Sequence, residues 1–171
     1  MAIHAGDSRI YVTSSSSNGQ RLKNISRDDT LAARIHEMRG VSFTEAKEIP
    51  YSEGLAQFVG IGQGLQPQIM GSSDFHGVTS VLIASDGLYG SIETTLEQYV
   101  ANAPGEKELV QRLLHASRWT GGSDNASLIF CSDLRAALAS RATASFPRLE
   151  LWDAFGKLDL VLSESLTSVP M

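Results

Sequence analysis

Three aspartates lie in turn-forming segments of the sequence, outside any periodic helix or strand pattern: Asp7, Asp86 and Asp124. Asp86 follows the apolar run Val81–Ala84, and Asp124 precedes the apolar run Ala126–Cys131. A carboxylate at the end of one strand and another at the start of an antiparallel neighbour can meet at one sheet edge. Paired carboxylates with water are the ligands that Mg²⁺ and Mn²⁺ prefer. The pattern therefore favours a divalent-cation site that includes Asp86 and Asp124.

A structural role for the same aspartates is the alternative. Asp-Gly and Asp-Asn pairs are common turn residues, because the aspartate side chain accepts hydrogen bonds from nearby backbone amides. Neighbouring glycines such as Gly87 allow close approach of the backbone in either case. From the residues alone, both interpretations stay open.

The strands that would position these aspartates are marked by β-branched and aromatic residues. Thr79–Ala84 and Ala126–Cys131 are predicted as strands, the second closing the sheet. Residues 9–25 are predicted as a hairpin that turns through Ser14–Gly19. Two short strands, Ala56–Val59 and Gln68–Met70, are predicted within the glycine-rich segment 51–78.

Helices fill the gaps between the strands. The first is capped within Asp28–Thr30, places Leu31, Ile35 and Met38 on one face, and stops at Gly40. A short helical turn is predicted over Thr44–Lys47, and an alanine-rich helix is predicted over Leu134–Ala142. Between them, a helix capped by Ser91 has Ile92, Leu96 and Val100 on one face. A further helix begins at Gly105-Glu106, and its apolar face consists of Leu109, Val110, Leu113 and Leu114. Leu149–Val161 is predicted as a hairpin or a helix-turn. Sheet and helices in this order predict an α/β-layered or α+β domain.

Composition excludes several classes of protein. The chain has 171 residues, a formal net charge of −5 and 42% apolar residues, which fits one folded domain. The acidic balance argues against non-specific nucleic-acid binding. No apolar run is long enough to cross a membrane. A single cysteine, Cys131, favours a reducing compartment, so we predict a cytoplasmic protein.

Four motifs in order resemble the metal-dependent type 2C (PPM-type) protein serine/threonine phosphatases. They are His4-Ala5-Gly6-Asp7-Ser8-Arg9-Ile10-Tyr11, Arg27-Asp28-Asp29-Thr30, Ser85-Asp86-Gly87-Leu88 and Gly121-Gly122-Ser123-Asp124-Asn125. The resemblance covers roughly residues 3–131. It implies part of an α-β-β-α sandwich of two antiparallel sheets flanked by helices, with a dinuclear Mn²⁺ or Mg²⁺ centre at one edge.

The resemblance also implies roles for individual residues. Asp86 and Asp124 would be direct ligands of one metal ion, and Asp7 would support the acidic cluster or a third metal site. Gly87 and Asn125 would support the metal-binding loops. A water activated by the two cations would attack phosphorus, so no side chain would be phosphorylated.

Departures from the family pattern limit the expected activity. The family's opening segment supplies a phosphate-binding arginine and a bridging aspartate, and we expect these groups to be missing upstream of Met1. Asp29 stands where the family usually has histidine, and Gly90 stands where many members carry another acid for the third metal. The sequence therefore predicts a partial phosphatase domain over 1–132, whose metal centre is incomplete, and an extension of unknown role over 133–171.

Other residues are assigned structural roles. Gly60-Ile61-Gly62-Gln63-Gly64 lacks the spacing and the following helix of a dinucleotide-binding loop, so we interpret it as a mobile loop. The four histidines lack metal-ligand spacing, and packing is favoured for His4. Cys131 is predicted in the core, and Trp119 is predicted to pack against its helix or to brace the following glycine turn.

Three functional hypotheses follow. The leading one is a metal-dependent phosphatase acting on phosphoserine and phosphothreonine in proteins, inactive as this chain alone. The second is a catalytically dead binding or regulatory module on the same fold. The third is association with a separate polypeptide that carries the N-terminal half, and exposed strand edges favour self-association as well.

Overall fold

A computed structural model describes residues 1–16, 19–122, 124–140, 148–153 and 156–161. Its strands are β1 (Ala2–His4), β2 (Arg9–Ser16), β3 (Gly19–Asn24), β4 (Gln68–Met70), β5 (Val78–Ala84), β6 (Leu128–Cys131), β7 (Arg148–Asp153) and β8 (Gly156–Val161). Its α-helices are α1 (Leu31–Arg39), α2 (Phe43–Lys47), α3 (Asp86–Ala101), α4 (Glu106–Trp119) and α5 (Leu134–Ser140), and a 3-10 helix covers Ser72–Phe75.

The strands form two antiparallel sheets. The larger has the order β3-β2-β5-β6-β7-β8, and the smaller pairs β1 with β4. Helices flank the sheets, so the expected α+β class with two antiparallel sheets is confirmed. Within the described residues, no helix is both long and apolar enough to span a membrane.

The core lies between one face of the larger sheet and the helix pair α3 and α4. Leu82 of β5 and Leu128 of β6 lie on this face and belong to the same buried cluster as Ile92, Leu96 and Leu113. Each fully buried leucine or isoleucine contributes about 1.5–3 kcal/mol of hydrophobic free energy. This packing fixes where α3 begins, and therefore where the residues of its first turn lie.

The opposite face of the same sheet is less covered. Ile83 and Ile129 are register partners on neighbouring strands and lie on the face away from α3 and α4, with 38% and 45% of their surfaces exposed. Apolar residues on a sheet normally lie against another layer, because alternate side chains of a strand point to opposite faces.

Several predicted elements are confirmed. Residues 9–25 form the β2–β3 hairpin, and Gln68–Met70 is a strand. The Thr30 side chain caps α1 by accepting from the amide of Ala33, and Gly40 ends that helix with a φ of 66°. Arg148–Val161 contains the β7–β8 hairpin rather than a helix-turn, with residues 154–155 outside the described part.

Other predictions are wrong. The segment Ala56–Val59 contains no strand. The helix that carries Ile92 is capped at Ser85 and begins at Asp86, six residues before the predicted start, because Leu88 extends its buried stripe by one turn. The strand over Leu128–Cys131 is shorter than predicted and does not close the sheet, since Trp152 of β7 pairs with it.

The remaining differences concern surface positions and turn bounds. Ser14–Ser16 and Gly19 belong to strands, so what is left of the predicted turn is residues 17 and 18, which lie outside the described part. The predicted apolar face of α1 is largely exposed at Met38 (84%), and the helix packs through Ala32 and Ala33 instead. Residues 141 and 142 of the alanine-rich helix lie outside the described part.

Candidate active site

A cleft of about 460 Å³ opens at the end of the larger sheet and contains all three turn aspartates. The pairing of Ala84 with Leu128 sets β5 and β6 so that the chain leaves one strand where it enters the other. Asp86 and Asp124 therefore line the same cleft, and the turn before β2 brings Asp7 to it. Asp86 and Asp124 thus lie at one end of the sheet, as their strands predict, and the role of all three aspartates at a metal site stays a prediction.

A close backbone contact holds the Asp86 and Asp124 loops together. A β-carbon placed on Gly87 would lie 2.5 Å from the carbonyl oxygen of Asn125, so glycine is required for this approach. The Ser85 hydroxyl donates to that same carbonyl oxygen over 3.2 Å and accepts from the Ser127 amide at 3.0 Å. Gly87 and Asn125 therefore support the loops, although through backbone contacts rather than through the Asn125 side chain.

Asp86 and Asp124 are exposed, line the cleft and each accept one hydrogen bond from the amide that follows. One oxygen of Asp86 accepts from the amide of Gly87 at 2.9 Å, and one oxygen of Asp124 accepts from the amide of Asn125 at 2.7 Å. Each aspartate thus has one oxygen fixed by its own turn, as the structural alternative predicted. Within the described part of the chain, the second oxygen of each has no hydrogen-bond partner.

The turn that carries Asp7 is anchored by hydrogen bonds to its backbone carbonyl groups. The hydroxyl of Tyr89 donates to the carbonyl of Asp7 at 2.8 Å. The amide of buried Asp29 donates to the carbonyl of Gly6 at 2.8 Å, and the His4 ring bonds to the carbonyl of Ser8. His4 is buried, as predicted, and its Nδ1 atom has no partner among the described residues.

Burial raises the pKa of the Asp7 carboxyl above its ordinary value, and the negative charge of Asp86 raises it further. Burial likewise raises the pKa of Tyr89, reinforced by the charge of Asp28. The Tyr89 hydroxyl therefore stays protonated and able to donate. The smaller part of the rise in the Asp7 pKa comes from the negative charges of neighbouring carboxylates, which a bound cation would offset.

Arg9 lines the cleft, and its guanidinium is engaged by protein groups. Its guanidinium forms a bidentate pair with Asp28, at 2.9 and 2.8 Å, and also bonds to Glu93. The guanidinium carbon lies 4.0 Å from the centre of the Tyr89 ring. Burial by itself lowers the pKa of Arg9, but the hydrogen bonds to Asp28 and Tyr11 outweigh it and raise that pKa overall. Arg9 thus orders the cleft floor.

Part of the cleft lining comes from α2 and the turn that follows it. Phe43 and Lys47 of α2 and Glu53 of the turn are lining residues. Acidic side chains outnumber basic ones across the whole lining: Asp7, Asp28, Glu53, Asp86, Glu93 and Asp124 stand against Arg9 and Lys47. A cleft with this surplus of carboxylates attracts cations.

The donor set fits a hard divalent cation in chemistry, since every candidate ligand is a carboxylate. Among the described residues, however, no group of three or more histidine, cysteine, aspartate or glutamate side chains is arranged to hold a metal ion. The pair Asp86 and Asp124, with Asp7 behind them, therefore fits a site that needs further ligands from water or another segment.

Sequence reasoning missed several residues of the cleft. The Arg9 guanidinium reaches Asp28 and Glu93, which are 19 and 84 residues away, and no local pattern signals those contacts. Tyr89 is the cleft residue that the sequence could have indicated, because it follows Asp86 by three residues and so lies on the same side of α3. The expectation that Trp119 packs against its helix or braces the glycine turn is wrong, since 88% of its surface is exposed.

Comparison with known proteins gives a structural match without a sequence match. No family model matches the sequence, and no curated protein matches it either. The serine/threonine phosphatase Stp1 from Staphylococcus aureus aligns with 76% of this chain at a TM-score of 0.63 and 17% identity. The PPM Ser-Thr phosphatase MsPP from Mycobacterium smegmatis, solved with cacodylate, aligns with 75% at a TM-score of 0.59 and 26% identity.

A third match is the catalytic domain of the serine/threonine phosphatase PstP, solved with two manganese ions, at a TM-score of 0.51 and 23% identity over 77% of this chain. The chain spans about half the length of these structures, from 50% of Stp1 to 53% of MsPP. Over the aligned three-quarters of its length, the chain has the fold of the PPM-type serine/threonine phosphatases.

Proposed function

We propose that this chain forms part of a Mn²⁺- or Mg²⁺-dependent phosphatase that hydrolyses phosphoserine and phosphothreonine esters of proteins. The observation that carries the proposal is the position of Asp86 and Asp124, whose loops meet at the Gly87–Asn125 contact in a fold shared with PPM-type phosphatases. Asp86 and Asp124 hold one cation, and Asp7 adds negative charge behind them.

The chain's own residues bind and orient within this scheme. A divalent cation bound here would lower the pKa of water and neutralise phosphoryl oxygens. Asp86 and Asp124 are presented at fixed positions, because each side chain is bonded to its own turn and the two turns are in backbone contact. Tyr89 joins α3, which carries Asp86, to the carbonyl of Asp7, and the guanidinium of Arg9 lies against the Tyr89 ring.

We propose further that these 171 residues supply part of the ligand set and that catalysis needs a complementary polypeptide. The chain aligns with about half of each neighbour, and the described residues contain no three-ligand group. Hydrolysis by two cations needs ligands for both, together with a cation that orients the phosphate. Losing half of that arrangement costs several orders of magnitude in rate.

The experiment is an assay of phosphothreonine-peptide and p-nitrophenyl phosphate hydrolysis with Mn²⁺. We expect no measurable turnover by the chain alone. Turnover is expected after addition of a polypeptide that carries the part of the M. smegmatis phosphatase outside the aligned region, and Asp86→Asn should abolish it. If the chain alone hydrolyses the substrates and Asp86→Asn abolishes that activity, catalysis needs no complementary polypeptide. If the activity restored by the added polypeptide survives Asp86→Asn, the assignment of Asp86 as a metal ligand is wrong.

The second candidate function is a binding or regulatory module on the same fold without catalysis. It is favoured by the engagement of Arg9 with protein carboxylates and by Gly90, which lines the cleft where many family members carry an acid. Binding of a phosphothreonine peptide without turnover, even in the presence of the complementary polypeptide, would support this function over the first.

A further inference from the structure

The lining of the cleft includes one basic side chain besides Arg9. Lys47 is the last residue of α2 and lines the same cleft as Asp7, Asp86 and Asp124. The cleft carries six carboxylates, so a phosphate group entering it meets repulsion from most of its lining. A cation that is free to pair with the anion is therefore needed alongside any bound metal.

Arg9 does not meet that need. Its guanidinium donates to Asp28 and Glu93, lies against the Tyr89 ring, and belongs to a residue with 9% of its surface exposed. Lys47, by contrast, has no carboxylate within 4.0 Å in the described part of the chain. Of the two cations that line the cleft, Lys47 is the one available to a ligand.

The position of Lys47 is fixed by packing although its ammonium group is exposed. A reciprocal capping pair, Ser42 and Glu45, starts α2, and Ala46 of that helix is completely buried. The hydroxyl of Ser52, itself 2% exposed, donates to the carbonyl of Lys47 at 3.0 Å. The Lys47 ammonium lies 5.1 Å from the centre of the Phe43 ring, within the range of a cation–π contact.

We propose that Lys47 binds the phosphate group of the ligand and so determines the affinity of this cleft for phosphorylated substrates. The proposal rests on the proposed function, because it places the phosphate beside the aspartates. A lysine ammonium binds phosphate as a point charge with three donors, and such charge-assisted bonds are about twice as strong as neutral ones. The Lys47 side chain serves as a substrate-binding group, and Asp86 and Asp124 serve the metal.

The test is a titration with inorganic phosphate, followed by phosphorus NMR or calorimetry, at saturating Mg²⁺ and again without metal. Lys47→Met should weaken phosphate binding about tenfold, as expected for the loss of one charge-assisted contact. Lys47→Arg should retain most of the affinity. Lys107→Met, which removes an exposed lysine of α4 outside the cleft lining, is the matched control and should leave it unchanged.

A parallel Mn²⁺ titration separates this proposal from the proposed function. Removing the positive charge of Lys47 should leave Mn²⁺ affinity equal or higher, which also shows that the variant is folded. Equal phosphate affinity in Lys47→Met and Lys107→Met would overturn the role of Lys47, as would undetectable phosphate binding by the unmodified chain. Failure of Mn²⁺ to bind would overturn the proposed function, and the metal-free phosphate titration would still decide the role of Lys47.

Discussion

Replacing Gly87 with alanine tests the backbone contact that joins the two metal-site loops. The added methyl group would lie 2.5 Å from the carbonyl oxygen of Asn125 and 2.8 Å from its carbonyl carbon, so α3 and the loop must separate by about half an ångström or more. Both atoms belong to backbone, which cannot turn aside as a flexible side chain can. Overpacking of this kind costs about 1–3 kcal/mol.

Helix propensity acts in the opposite direction, because Gly87 lies in the first turn of α3. Alanine is favoured over glycine by about 1 kcal/mol in a helix interior and by less near its end. The steric cost therefore wins, and we expect Gly87→Ala to lower the free energy of unfolding by about 1–2 kcal/mol. Gly90→Ala is the matched control in the same helix, since nothing lies within 4 Å of the added atom, and it should stabilise the protein by about 0.5–1 kcal/mol.

Urea unfolding of the two variants measures the difference directly. We expect Gly87→Ala to lower the free energy of unfolding and Gly90→Ala to raise it. Gly87→Ala should also weaken Mn²⁺ binding, because it moves Asp124 away from Asp86. Equal changes of either sign in the two variants would refute the claim that the Gly87–Asn125 contact holds the loops together.

Three further predictions concern the cleft floor, the acidic cluster and the uncovered sheet face. Arg9→Met should lower the free energy of unfolding by about 2–4 kcal/mol, because it leaves the largely buried carboxylate of Asp28 unpaired. Arg27→Met, at an exposed ion pair, should change the free energy measured by urea unfolding by less than about 1 kcal/mol. Burial raises the pKa of the Asp7 carboxyl above its ordinary value of 3.8. The stabilisation of the fold by protonated Asp7 is therefore fully present below pH 3.8 and is lost as the pH rises through the raised pKa. In the metal-free protein, Asp7→Asn should therefore be more stable than the unmodified chain at pH 7, and an unchanged pH profile would contradict this. Replacing Ile83 and Ile129 with threonine should reduce binding of an apolar fluorescent dye and reduce self-association on a sizing column, since both side chains expose apolar surface.

Local patterns account for much of the fold. The sequence predicts where α4 begins and which face it buries, because Leu109, Val110, Leu113 and Leu114 recur with the period of a helix. The apolar residues of β5 likewise predict a central strand. The start of α3 was harder to predict, because Ser85 and Ser91 are both acceptable caps and tertiary packing of Leu88 decides between them.

The site was predictable where it depends on strand ends and not where it depends on long-range contacts. Asp86 and Asp124 share an edge because their strands are antiparallel neighbours, which the order of motifs already indicates. The Gly87–Asn125 contact and the pairing of Arg9 are properties of the assembled fold, since they join segments that are distant in the chain. The position of Lys47 in the same cleft as the aspartates likewise depends on how α2 packs against α1.

The most direct test of the central claim is a calorimetric titration of the chain with Mn²⁺. Two carboxylates and water, without a bridging third acid, should bind with a dissociation constant on the order of millimolar. Asp124→Ala should abolish binding, and Asp74→Ala, which removes an exposed aspartate outside the cleft, should leave it unchanged. Micromolar binding that survives Asp124→Ala would contradict the assignment of Asp86 and Asp124 as the residues that hold the cation.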